Sequence, residues 1–252
     1  MSGPGYSRAQ SRSTRVTAHR PWPLPAGPWV MGQTWEDLLF AHWPFDPAVM
    51  RDALPPGLAL DTYDGSAWLG ITPFRVRALR PRGLPPLLSF AELNVRTYCT
   101  AGDRPGIWFF SLDAASLLAV AGARLTYRLP YFPARMRVGR AGSRISYASH
   151  RTRGPAASLE AEYEPAGERF SPRPGTLEHF LTERYCLYAV TATRLLRAEI
   201  HHPPWPLQPA AALIAVNTMA RPAGLDVGSR APLLHFAARQ DVVVWPPRPV
   251  RP

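Results

Sequence analysis

Ser89-Phe-Ala-Glu-Leu-Asn-Val-Arg-Thr-Tyr-Cys-Thr100 decides the reading of this chain. Its residues alternate in character with a period of two. Ala91, Leu93, Val95, Thr97 and Cys99 fall on one side, and Phe90, Glu92, Asn94, Arg96 and Tyr98 on the other. Only an extended strand sorts residues this way, since successive side chains of a strand point to opposite faces of a sheet. One face is therefore apolar. The other carries a carboxylate, an amide, a guanidinium and a phenol in a row.

Reading outward, Ala67 to Val76 is a second strand, with Pro73 marking an edge or bulge. Gly102-Asp103 and Pro105-Gly106 turn the chain into Ile107 to Leu112, an apolar run expected of a buried strand. Asp113 reads as a helix cap before Ala114 to Val120. Arg124 to Leu129, Ile145 to His150, Ala157 to Tyr163, Tyr185 to Thr191, Leu196 to His202, Leu233 to Arg239 and Val242 to Trp245 are further strands. Pro47 to Leu54, Thr176 to Arg184 and the alanine-rich Pro209 to Met219 are predicted helical. The sum is an α+β protein, mainly antiparallel β, whose long sheet curls or closes to protect its edges.

The 30 prolines among 252 residues favour many short elements over long helices. The basic residues are all arginine, 29 against 18 acids, for a net charge of +11. Arg8, Arg12, Arg15, Arg20, Arg248 and Arg251 lie near the ends. Residues 1–30 read as a disordered arginine- and proline-rich arm, 31–245 as one domain and 246–252 as a disordered tail. Cys99 and Cys186 form no disulfide framework. No apolar run is long enough to span a bilayer and no secretory leader is evident, so a cytoplasmic protein without a membrane partner is expected.

The polar row Glu92, Asn94, Arg96, Tyr98 is either a solvated surface or the lining of a pocket. In a pocket, Arg96 would hold a carboxylate bidentately and Glu92 would act as acid or base. His201-His202 resembles a metal motif, but adjacent strand residues point opposite ways and no third ligand stands at a familiar spacing, so no metal is expected. No phosphate loop, dinucleotide fingerprint or serine elbow is present, and no cofactor is expected. Eight arginines and no acid occur between Asp113 and Glu160, with Tyr127, Tyr131, Phe132 and Tyr147 interleaved. Such a segment, 124–153, could stack on and neutralise single-stranded nucleic acid, the rival to a small-molecule site.

Several motifs recur together in one family. They are Trp35-Glu-Asp-Leu-Leu-Phe-Ala-His-Trp-Pro44, Phe90-Ala-Glu-Leu-Asn-Val-Arg-Thr-Tyr98, Trp108-Phe-Phe-Ser-Leu-Asp113, Leu129-Pro-Tyr-Phe132, Glu183-Arg-Tyr-Cys-Leu-Tyr188 and His202-Pro-Pro-Trp-Pro-Leu207. In this order the chain resembles the YqjF-like family, a domain of unknown function grouped with the acetoacetate decarboxylase-like superfamily. The resemblance spans about residues 30 to 245. It implies a curved barrel- or cone-like sheet around a central cavity, with the Glu92 and Arg96 face turned inward.

The decarboxylases of that superfamily work through a lysine Schiff base. This chain has no lysine. The segment Tyr131-Phe-Pro-Ala-Arg135 resembles the one that carries the reactive lysine, so Ala134 and Arg135 stand where lysines would be, and arginine forms no imine. The resemblance thus carries the fold and not that chemistry. The expectation is a cavity for a small organic acid or similar metabolite. Arg96 would bind the anion, Asn94 would donate a hydrogen bond, and Glu92 and Tyr98 would orient the ligand or move protons. Arg124 and His202 are further lining candidates. A lyase-like enzyme, a non-catalytic sensor and a homo-oligomer all fit this reading.

Overall fold

A computed structural model describes residues 3–192 and 194–250. Thirteen strands are present: β1 Met31–Phe45, β2 Ala59–Leu60, β3 Ala67–Pro81, β4 Leu88–Ala101, β5 Arg104–Ala114, β6 Tyr131–Ala141, β7 Arg144–Arg151, β8 Ser158–Pro165, β9 Cys186–Val190, β10 Leu195–His201, β11 Leu207–Asn217, β12 Leu233–Val244 and β13 Arg248–Pro249. The helices are α1 Gly3–Ser13, α2 Pro47–Asp52, α3 Leu117–Tyr127 and α4 Leu177–Thr182.

The strands form one large mixed sheet that curves into a partial ring. β12, β1, β3, β4 and β5 follow one another antiparallel. β5 then pairs parallel with β9, and β10 returns to touch β12 through two residue pairs, Ile200 with Val244 and His201 with Val243. β5 also pairs parallel with the start of β6. From there β6, β7, β8 and β11 form an outer layer that rejoins β12.

This layering explains the double burial of β4. Leu93 and Val95, both fully buried, pack with Ile145, Tyr147, Leu159 and Tyr163 of the outer layer. Tyr147 and Tyr163 complete the seam, donating their hydroxyls to Glu92 O and Asp37 O, each at 2.7 Å. Burying such apolar side chains contributes about 1.5–3 kcal/mol apiece. The opposite side of β4 faces the inside of the ring.

Four expectations from sequence are corrected. Pro209 to Met219 is not helical but lies within and beyond β11, where alternate residues turn inward and outward. Partnership with β8 and β12 overrides the helical propensity of its alanines. Asp113 does not cap a helix; it is the last residue but one of β5, with its carboxylate held by Arg151, and Ser116 caps α3 instead, its Oγ accepting from Ala119 N. Arg124 to Leu129 is not a strand, because α3 continues to Tyr127 and stops at Arg128 in the left-handed region (φ 57°). The ends are not irregular throughout. α1 docks through Gln10, fully buried, whose Nε2 donates to Ala78 O at 3.0 Å and whose Oε1 accepts from Arg80 Nε at 2.8 Å. Arg248–Pro249 pairs with β10, while Arg251 lies outside the described residues.

Candidate functional site

The inner side of the ring encloses a cavity of about 240 Å³. Register aligns its polar wall: Glu92 lies opposite Phe74, Asn94 opposite Thr72 and Arg96 opposite Gly70 on β3. The space at Gly70 is tight, since a Cβ there would stand 3.1 Å from the His42 ring and 3.2 Å from Arg96 Cγ, and one of these side chains would have to give by a few tenths of an ångström. The rest of the wall is apolar and aromatic, with Trp35, Phe40, Phe90, Ile107, Leu112 and Trp205 among its residues. α3 borders one side of the cavity through Leu118, Ala119 and Ala123, and Thr182 at the end of α4 lines another part.

Arg96 is 6% exposed and lines the cavity, yet no carboxylate of the described residues forms an ion pair with it. Its Nη2 makes one long contact, 3.4 Å to Leu181 O, and its Nε has no partner. The guanidinium lies over the rings of Phe40 at 5.2 Å and Tyr98 at 5.8 Å. The neighbouring Arg184 also lines the cavity but is neutralised by Asp61, with 2.6 Å between Nη1 and Oδ2. Three more buried atoms of cavity-lining residues lack a partner: Thr72 Oγ1, Asn94 Oδ1 and Trp205 Nε1. Buried polar atoms left unpaired are rare, and a buried unpaired cation is costly.

Glu92 is fully enclosed, and burial pushes its carboxyl up to about 8, against the lowering effect of the hydrogen bond that Tyr131 donates to Oε2 at 3.0 Å. At neutral pH it is mainly protonated. Tyr131 is a site residue that the sequence reading did not pair with Glu92, and Thr72 and Trp205 were also missed. Their partners lie on other strands, and no local pattern signals them.

Tyr98 stands beyond the cavity. Its hydroxyl donates to Leu181 O at 2.7 Å and is also 2.7 Å from His42 Nε2. With the hydroxyl proton committed to Leu181, His42 donates from Nε2 and its buried Nδ1 is left without a partner. Burial, followed by the charge on Arg96, holds the His42 ring well below its ordinary pKa and therefore neutral.

His202 lines the cavity, but its ring nitrogens face Pro203 O at 2.8 Å and Arg184 O at 3.3 Å. It therefore presents a ring stacked on Tyr185, with centroids 4.8 Å apart, and no free donor. His201 points away, towards Ser13 O and Arg20. Arg124 does not line the cavity. It lies on the exposed side of α3, its Nε donating to Tyr131 O at 2.6 Å, because the helical register turns it outward. Ala134 is buried outside the cavity wall and Arg135 is exposed. Within 124–153, Arg140, Arg144 and Arg151 pair with acids of the same chain. No helix of the described residues is long and apolar enough to cross a membrane.

The model of the DUF2071 family, described as uncharacterized conserved protein, matches residues 32–241. The uncharacterized protein YqjF of Bacillus subtilis is 46% identical over 228 residues, covering 89% of this chain and 94% of that relative. Among solved structures, the enduracididine biosynthesis enzyme MppR complexed with pyruvate superposes with a TM-score of 0.61 at 14% identity, over 91% of this chain and 93% of the other. Acetoacetate decarboxylase from Legionella pneumophila gives 0.61 at 13% identity, over 95% and 94%. At these identities the two structures speak for the fold.

Proposed function

The chain belongs to the DUF2071 family, and from that premise together with its acetoacetate decarboxylase-like fold we propose that the cavity binds a small monocarboxylate with an apolar body. The observation that carries this reading is the buried, uncompensated Arg96. A carboxylate on its guanidinium supplies the missing charge and a planar, bidentate partner for the unpaired Nε. A donor group on the ligand satisfies Asn94 Oδ1, and an acceptor satisfies Trp205 Nε1. The aromatic and aliphatic walls take the hydrocarbon part. Protonated Glu92 adds no second negative charge and offers a hydrogen-bond donor on the same wall, its Cα about 13 Å from that of Arg96 at the rise of an extended chain. That pyruvate is bound in a neighbour of the same fold agrees with a carboxylate ligand.

Turnover, where it follows binding, runs without an imine, since no lysine is present. Glu92 is the proton donor or acceptor, and a carboxyl titrating near neutrality suits that task. Tyr98 then acts by positioning: it anchors α4 through Leu181 and lies beneath the Arg96 guanidinium.

The test is a thermal-shift screen of keto, hydroxy and simple carboxylic acids on the wild type and Arg96→Ala. A compound that stabilises only the wild type supports the reading, through preferential binding to the folded state. Consumption of that compound identifies an enzyme, and its recovery unchanged a sensor. Equal shifts in both proteins, or none across the panel, overturn the role of Arg96.

A further inference from the structure

Among the described residues, six leucines are more than half exposed: Leu84, Leu87, Leu117, Leu118, Leu125 and Leu213. Five of them belong to two segments that border the same cavity. Leu117, Leu118 and Leu125, exposed by 70% or more, are on α3, whose Leu118 and Ala119 line the wall. Leu84 and Leu87 are in the turn between β3 and β4, next to Leu88, which also lines the wall. α3 buries only Val120 and Tyr127, and leaves Leu117, Leu118 and Leu125 exposed beside Arg124 and Thr126. Concentration of exposed apolar side chains at one place marks a binding surface, whereas scattered ones carry no meaning.

The two rim segments themselves carry charge of one sign. No acid occurs from Val76 to Ala91 or from Ala114 to Leu159. Arg124 and Arg128 are exposed on and just after α3, and Arg82 is exposed beside Leu84. A cleft at Leu84 is lined by Arg8, Arg12 and Arg15 of α1 and the residues after it, all three exposed. A second copy of this chain meeting the rim across a two-fold axis would set this basic surface against itself. An anionic bilayer meets both features: acyl carbon for the leucines and phosphate for the arginines.

We propose that the rim formed by α3 and the β3–β4 turn is a docking surface for an anionic bilayer, which brings the mouth of the cavity to the lipid interface. The lack of a spanning segment, from which the sequence reading expected no membrane partner, does not bear on this. A helix lying in the interface needs an apolar face flanked by cations, and no great length. The proposal goes beyond the carboxylate reading and is tested without it.

The experiment is flotation of the unliganded full chain with phosphatidylcholine vesicles with and without about 30 mol% phosphatidylglycerol, at low and raised salt. The protein is expected to float with the anionic vesicles and to bind about tenfold more weakly to neutral ones or at raised salt. Leu87→Ser, Leu117→Ser and Leu125→Ser combined should abolish flotation, while Leu213→Ser, equally exposed elsewhere, should not. Arg96→Ala separates the two proposals, because it removes carboxylate binding and leaves flotation intact. Wild-type protein that stays with the soluble fraction overturns the proposal, as does a triple variant that floats like the wild type. Self-association that the triple variant abolishes, without vesicle binding, assigns the rim to a second copy and overturns it equally.

Discussion

Tyr131 donates its hydroxyl to Glu92 Oε2 at 3.0 Å, joining the first residue of β6 to the inner face of β4 inside the partial ring. This is the one hydrogen bond to the Glu92 side chain from a described residue, and it does not outweigh the cost of burying the charge, so the carboxyl titrates at about 8. The folded chain keeps this proton while the unfolded chain releases it from about 4.5 upward. Stability is therefore complete below 4.5 and falls as pH rises towards 8, by about 1.4 kcal/mol per pH unit within that window. Glu92→Gln removes the dependence. Its melting temperature should exceed that of the wild type at pH 8 and converge with it at pH 4.5, as measured by thermal unfolding across that range.

Arg96 should behave oppositely to most buried residues. Replacing a buried, unpaired cation by an apolar side chain of similar volume removes a desolvation cost. Arg96→Met should stabilise the unliganded protein by about 1–3 kcal/mol in urea unfolding. Any stabilisation of the wild type by carboxylates should be absent from the variant.

Arg151 is the contrasting case. Its Nη2 donates to Asp113 Oδ1 at 2.7 Å and its Nε lies within 3.1 Å of both carboxylate oxygens, with both side chains almost wholly buried. Arg151→Ala strands a buried carboxylate and should cost about 3–5 kcal/mol. The deficit should shrink at acid pH, where Asp113, already raised by burial, takes up a proton in the variant. Urea titrations at two pH values measure both effects.

Gln10 fixes α1 to the ring. Gln10→Ala leaves the buried Ala78 carbonyl without that donor and Arg80 Nε without its acceptor, at a cost of about 1–3 kcal/mol. Gly32→Ala should loosen the same contact more mildly, since the atom that its Cβ would crowd, Gln10 Oε1 at 2.5 Å, is the end of a flexible side chain that can move aside. Hydrogen exchange across 3–13 reports the release.

Where one face of an element differed from the other, the sequence was readable. β4 was plain because Glu92, Asn94 and Arg96 alternate with Leu93 and Val95, even though both faces prove to be buried. β1 was not, because from Leu38 to Trp43 both faces are buried and the polar His42 turns inward with Leu38 and Phe40. β11 was misread because an alanine-rich segment has helical propensity, and its strand character comes from β8 and β12 alone. The Glu92–Tyr131 and Arg151–Asp113 pairs join strands that are far apart in sequence, so no local spacing announces them.

β12 pairs with β1, β10 and β11, so the inner ring and the outer layer both depend on the last long strand of the chain. During synthesis this strand emerges late. Until then β1 and β11 each present a row of unpaired backbone groups, the kind of edge that recruits a neighbouring chain. The nascent protein is thus committed to a period of exposure that ends only when residues 233–244 arrive, and its yield on rapid expression should depend on temperature and on chaperone supply.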